Sequence, residues 1–488
     1  MGNRHAVVLG AGMGGLLAAR VLADTYDRVT IVERDRLPES AQNRRGVPQG
    51  RHVHTLLPRG SDILDELFPG LPDKLVADGA TKLADDTRLC FMPDGTHRLA
   101  PGAVLEPVYQ PSRPMLEAGV RARVRELVNV VIVDGYDVIG LAVSDQEGSR
   151  VTGARVVRRD AAAEEVLPAD LVVDATGRGA RTPAWLAELG YDRPTEEEVV
   201  VDVRYTSRLV RLEPDAVPEQ IVLIGANPDR PGGMGLFAYE DDTWLFTVFG
   251  LAGHHVAPDY DQMVERVAGF APPHLVAALR AATPLADVAT FRFRANRRRR
   301  YDRMRRFPQG LLVFGDAMCS FNPIYGQGMS VAAMEAMELR DCLRSGDQGL
   351  ARRFFRAAAK PIDVAWQMTV GADLALPQIE GHRTRQVRLV NAYVRRLLIA
   401  AEHDPVVAAR FVRVSAFLDK PSRLMTPPMV ARIVAGNRRA RRLENTPTTK
   451  VGNPVAADPR QPTPMPVSGA GATFLGAAGA RSSRRSHR

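Results

Sequence analysis

Near the N-terminus a short apolar run, Ala6–Leu9, passes directly into Gly10-Ala-Gly12-Met13-Gly14-Gly15 and then into the helix-forming stretch Leu16–Ala23. A second apolar run, Val29–Val32, ends in Glu33. Strand, glycine turn, helix, strand and acid in that order constrain the fold more than anything else in the chain, because the motif has meaning only in this context. Gly10 makes the tight turn, Gly12 admits a pyrophosphate against bare backbone, and Gly15 lets helix and strand approach. The first N–H groups of the helix, around Met13 and Gly14, face the phosphate charge. Glu33 is placed to accept from ribose hydroxyls. The turn therefore predicts a dinucleotide on an α/β fold, and leaves FAD and NAD open.

Two further strand-like pieces lie far downstream. Asp170–Gly177 (DLVVDATG) ends in a small-residue turn, and Leu311–Phe314 leads into GDAMCSFNPIYGQGMS, Gly315–Ser330, before a helical stretch over Val331–Leu339. Glycines at such a junction bring backbone close to a ligand, and the following helix start offers free N–H groups.

These pieces, with Arg44–His54 (RRGVPQGRHVH) and Ser112-Arg113, give the sequence over residues 5–335 a clear likeness. It resembles the para-hydroxybenzoate hydroxylase-like FAD-dependent monooxygenases. Within them it looks most like the bacterial polyketide and polyene epoxidases and hydroxylases and, more distantly, squalene epoxidase. The resemblance implies an α/β fold: a discontinuous Rossmann-type FAD-binding domain (1–80, 111–182, 306–343) with an inserted antiparallel-sheet substrate domain (81–110, 183–305). A C-terminal helical region (344–445) follows, and a disordered basic tail (446–488). It implies that Asp316 holds the ribityl hydroxyls and that Gly326, Gly328 and Met329 bring a helix N-terminus to the flavin's pyrimidine edge. That end would stabilise the negative charge of reduced flavin. Pro323 would shape the backbone beside the ring. Arg34 would flank the adenine ribose, Arg45 (or its neighbour Arg44) and Arg113 the ribityl–pyrophosphate region, and Val138 the adenine.

The activity so implied is insertion of one oxygen atom from O2 into a small lipophilic, natural-product-like substrate through a flavin C4a-(hydro)peroxide. Epoxidation and hydroxylation both stay open, as does the electron source, NAD(P)H directly or a separate flavin reductase. Two other readings compete: a reductase of the geranylgeranyl-reductase type, and a flavin-binding partner with no activity.

Composition narrows the field. Of the net charge of +9, eight units fall in residues 437–488, which hold ten Lys or Arg against two acids. The rest is nearly neutral, so no nucleic-acid face is expected. Cys90, Cys319 and Cys342 lack CxxC spacing, which predicts reduced thiols and, with no apolar run of about 18 residues, a cytoplasmic protein without an integral membrane segment. His52 and His54 share a face on an extended segment, but no carboxylate or cysteine lies near to complete a metal site; they are expected to line the cavity near the flavin or to hydrogen-bond structurally. The arginines at 297–300, 303, 305 and 306 read as a solvated face or a hairpin paired with acids, with docking of nicotinamide phosphates as the rival. Trp185 stands without the WxWxIP pair of flavin-dependent halogenases. Cys319 is expected to pack.

Overall fold

The computed structural model describes residues 3–84, 87–102, 106–144, 150–161 and 163–444. Its organising element is a five-stranded parallel sheet in the order Leu311–Val313, Leu171–Asp174, His5–Leu9, Arg28–Glu33, Val130–Asp134. The three central strands are near-continuous apolar runs because they are covered on both faces, by helices and by a three-stranded sheet; Val7, Val8, Val172 and Ile31 have no exposed surface. Register decides where the loops emerge. Leu9 pairs with Asp174 and Asp174 with Val313, so three strands end at the same level. The Gly10 turn, the Ala175–Gly177 turn and the Gly315 turn consequently leave the sheet side by side.

The helices Met13–Leu22 and Gly328–Arg344 pack against each other over this sheet, and Arg113–Arg125 lies beside the first. The first two begin three residues before the stretches expected to be helical, Leu16–Ala23 and Val331–Leu339. For Gly328–Arg344 this means that the helix begins inside the glycine motif.

A second sheet of eight strands runs Cys319–Ser320, Ala289–Arg299, Glu196–Arg211, Trp244–Gly250, Gly232–Ala238, Ile221–Ile224, Leu89–Met92, with Thr283–Pro284 paired to Glu196–Arg211. Leu89–Met92 joins it parallel to Ile221–Ile224; the other pairs are antiparallel. The long strand Glu196–Arg211 carries a register shift between Val200 and Val203. A third sheet joins Tyr136–Val143, Val151–Arg158 and Glu164–Pro168.

The arginine run ends the strand Ala289–Arg299, in register with Glu196, Glu197 and Glu198. Arg299 meets Glu196 at 2.9 Å, Arg297 meets Glu198 at 3.1 Å, Arg300 meets Glu197 at 3.3 Å and Arg298 meets Asp363 at 2.5 Å. Arg298, Arg299 and Arg300 are buried. Of the two expectations, a solvated face or pairing with acids, the second holds at these three positions, where the arginines are buried partners of acids.

Four helices complete the described chain: Leu350–Asp373, Arg385–Ala401, Pro405–Ser415 and Pro427–Glu444. On Arg385–Ala401, Leu397 and Leu398 are buried whereas Val390 is half exposed, so its apolar residues form a packing face only toward the C-terminal end. No helix among the described residues is long and apolar enough to cross a membrane. The tail expected to be disordered, 446–488, lies outside the described residues.

Candidate active site

A continuous cavity of about 1870 Å³ runs along the carboxyl ends of the parallel strands and under the second sheet. It is larger than the roughly 300–1,000 Å³ that suits one small ligand. Gly10, Gly12, Met13, Gly14, Glu33, Arg34 and Val138 line one stretch of it, and Asp316, Pro323, Gly326, Gly328 and Met329 another; Arg113 also contributes. The side-by-side turns of the parallel sheet bring these distant segments to one space. Gly15 is not on the wall, because a Cβ there would lie 1.8 Å from the Gly10 carbonyl oxygen; its place is the helix–strand contact.

Gly10 is left-handed, φ +98°, and a Cβ on it would meet the Ala175 carbonyl oxygen at 2.8 Å. Gly12 is different. Its backbone (φ −73°, ψ 179°) suits any residue, and an added Cβ would meet nothing nearer than Arg44 Nη2 at 3.9 Å. No protein atom requires glycine there; an occupant of the cavity would. Gly12 is also the N-cap of Met13–Leu22 and supplies no side-chain cap, so the helix's first N–H groups are free for an anion.

Asp316 is exposed to the cavity yet enclosed by protein, and among the described residues no donor meets its oxygens. Burial pushes its carboxyl up to about 6, against the opposing charges of Arg178 and Arg113. An acid so placed is an acceptor awaiting hydroxyl donors. Glycine cradle, free helix start and unpartnered acid fit a flavin dinucleotide: pyrophosphate at Gly12, ribityl hydroxyls at Asp316.

Around these points the framework is tied down by carboxylates. Glu33 accepts from the amides of Ala11 (2.7 Å) and Asp35 (2.9 Å) and lies 3.3 Å from Arg44. The Arg44 side chain is 7% exposed and also reaches Asp35 (3.0 Å) and Glu117 (2.6 Å), while Glu117 pairs with Arg113 at 2.8 Å. Burial would lower the Arg44 guanidinium, but Glu33 and Glu117 hold it above its ordinary value. Arg45, expected at the cofactor, is exposed and lines no part of the cavity; its neighbour Arg44 lines it, held by the three acids that face it. Gly315, with φ +65°, donates its N–H to Glu335 Oε2 at 2.7 Å, and burial pushes this acid up to about 8.

His52 is buried, its Nδ1 2.7 Å from Ser207 Oγ. His54 Nδ1 donates to the His52 carbonyl at 2.8 Å, and Tyr239 Oη bridges the amide and carbonyl of His54. Burial, with the charge of Arg113, lowers His54 to about 4; burial likewise lowers His52 to about 3. His54 is thus a neutral imidazole whose Nε2 is an acceptor, on the cavity wall beside Thr55, whose Cγ2 is 3.1 Å from where a Gly326 Cβ would stand. Beyond these groups the wall turns apolar, with Leu223, Phe237, Phe249, Phe291 and Phe293. Cys319 is buried in the core, as expected of a packing residue.

The sequence leaves the choice between Arg44 and Arg45 open and gives no sign of Glu335, Thr369 and Asp373. No local pattern marks their roles, since their partners lie 9 to 77 residues away along the chain.

A parallel sheet with a glycine-turn dinucleotide cradle, closed over by an antiparallel sheet, defines a flavin-nucleotide-binding fold. Comparison sharpens this: the chain belongs to the FAD binding domain family, which it matches over residues 4–355, and FAD is its cofactor. It is 39% identical over 447 residues to Protein Rv3254 of Mycobacterium tuberculosis, covering 89% of this chain and 94% of the relative. It is 28% identical over 414 residues to kynurenine 3-monooxygenase of Salinispora tropica, covering 79% and 82%. Its fold is that of a flavoprotein/dehydrogenase from Cytophaga hutchinsonii, with TM-score 0.63 at 15% identity over 90% of this chain and 100% of that one.

Proposed function

We propose that this protein is an FAD-dependent monooxygenase that inserts one atom of O2 into a lipophilic, natural-product-like substrate by epoxidation or hydroxylation. The observation that carries the reading is the continuous cavity, wide enough for a cofactor and a second ligand, that joins the Gly12 cradle to the Asp316–Met329 segment and runs on into an apolar chamber. The likeness to a curated monooxygenase supports the chemistry.

In this reading the discontinuous domain 1–80, 111–182 and 306–343 holds FAD, and 81–110 with 183–305 holds substrate. Gly10, Gly12, Met13, Gly14 and Arg113 grip the pyrophosphate end, with Gly15 setting the helix–strand contact behind them; Glu33, Arg34 and Val138 take the adenosine. Glu33 does so while buttressed by Arg44, which we assign in place of Arg45. Asp316 accepts from the ribityl chain, and Pro323, Gly326, Gly328 and Met329 form the ring side. FAD supplies electrons from NAD(P)H, or from a reductase, to O2. The chain's own part is to orient the substrate on the apolar wall, to exclude water, and to offer the uncapped N-terminus of Gly328–Arg344 to developing negative charge. His54 Nε2 offers the substrate an acceptor for a hydroxyl.

The test is NAD(P)H oxidation by the purified protein with candidate polyenes and phenols, with and without O2. A monooxygenase turns over only with O2; a reductase of the geranylgeranyl-reductase type reduces its substrate anaerobically.

A further inference from the structure

The helix Leu350–Asp373 lies outside every motif of the cofactor cradle, yet two of its side chains, one helical turn apart, reach the loop that carries the ring-side residues. Asp373 has no exposed surface. Its Oδ1 accepts from Asn322 Nδ2 at 2.8 Å and from Tyr325 Oη at 2.9 Å, and its Oδ2 accepts from Asn296 Nδ2 at 2.6 Å. Asn296 in turn accepts the backbone N–H of Asn322 on its Oδ1 at 2.6 Å. Thr369, four residues earlier on the same face, donates through Oγ1 to Gln327 Oε1 at 2.8 Å, and both are buried. One turn of helix thus holds the loop at 322, 325 and 327.

The loop depends on such an outside hold. Between Ser320 and Gly328 it makes no sheet pairing; Pro323–Tyr325 is a single 3-10 turn and Gly326 is left-handed at φ +65°. If the helix needed only to dock, apolar residues of similar volume would serve as well or better, since a buried carboxylate is costly to desolvate. A carboxylate meeting three donors fixes directions that a methyl group cannot.

We propose that Thr369 and Asp373 are positioning residues: they set the height and angle of the 322–327 loop, and through it the free amide end of the helix Gly328–Arg344, against the flavin ring. The inference rests on the proposed assignment of that loop to the ring side.

The experiment uses the full-length holoprotein and three variants. Asp373→Asn keeps the shape but turns a donor toward donors. Thr369→Val removes one hydroxyl. Asp363→Asn, on the same helix, weakens only the contacts to Arg298 and Arg300 and serves as control. FAD affinity, the visible flavin spectrum and the reduction potential are measured beside the melting temperature. The expected result is that Asp373→Asn and Thr369→Val alter the flavin spectrum and weaken reduced FAD about tenfold more than oxidised FAD, a potential ~30 mV more negative for a two-electron couple. Asp363→Asn changes the melting temperature alone. Flavin spectra and potentials in the first two that match wild type would overturn the proposal, whatever happens to stability. Should Asp373→Asn fail to fold, the spectrum and potential of Thr369→Val decide. Failure of wild type itself to bind FAD is a different result, and removes the cofactor assignment instead.

Discussion

The carbonyl oxygen of Gly10 occupies the space beside Gly15, 1.8 Å from where a Cβ would stand, whereas the nearest atom to a Cβ on Gly12 is 3.9 Å away. Two glycines of one motif thus serve different ends, helix–strand contact and cofactor approach. Gly15→Val is expected to destabilise the protein by about 3 kcal/mol or more, because backbone must move. Gly12→Val should leave the melting temperature of the apoprotein unchanged while weakening FAD by about ten- to a hundredfold. Thermal melts of apoprotein with FAD titration separate the two; equal loss of stability in both would contradict the division.

Asp316 faces the cavity with no protein donor among the described residues, and burial holds its carboxyl near 6. Hydroxyl donors favour the ionised form, so bound FAD lowers this value and wild-type affinity declines as pH falls below about 6. Asp316→Asn should bind FAD roughly ten- to a hundredfold more weakly at pH 8 and show a shallower decline. Asp316→Ala should purify colourless. Retention of stoichiometric FAD in the alanine variant would contradict the assignment.

Much of this was legible in the sequence, and the reason is local. The Gly10–Gly15 turn, Glu33 and the Asp316–Met329 stretch each carry their function within a few consecutive residues, and the strands before them are apolar runs that only a two-sided sheet buries. What was not legible depends on distant partners. Arg44 and Arg45 are chemically identical neighbours, and only the placement of Glu33, Asp35 and Glu117 selects the first. Whether Arg297–Arg299 form a solvated face or pair with acids is decided only when the strand register sets them beside Glu196–Glu198. Asp373 has no signal at all, being one acid on a long helix until the loop at 322–327 folds against it.

Glu335 offers a stability test. Burial raises its carboxyl from 4.5 to about 8, against the hydrogen bond from Gly315 N–H. The native state therefore binds a proton that the unfolded chain releases, and this contribution is complete below 4.5 and lost as pH rises through about 8. Glu335→Gln, which keeps an acceptor for Gly315, should flatten the fall of apoprotein melting temperature between about pH 5 and 8. An unchanged slope would show that Glu335 titrates normally.

Arg300 is buried against Asp302 at 2.7 Å and Glu197 at 3.3 Å. Arg300→Ala should lower stability by roughly 1–3 kcal/mol, since both acids retain partial access to solvent. The KM for the electron donor should not change. A raised KM at unaltered stability would restore the docking role to these arginines.

The most direct measurement is incubation of the reduced holoprotein with candidate polyenes and phenols under ¹⁸O2, following product mass. The account predicts a product that gains one labelled oxygen atom and forms only when O2 is present. A product formed without O2, carrying no label and gaining hydrogen instead, would contradict it.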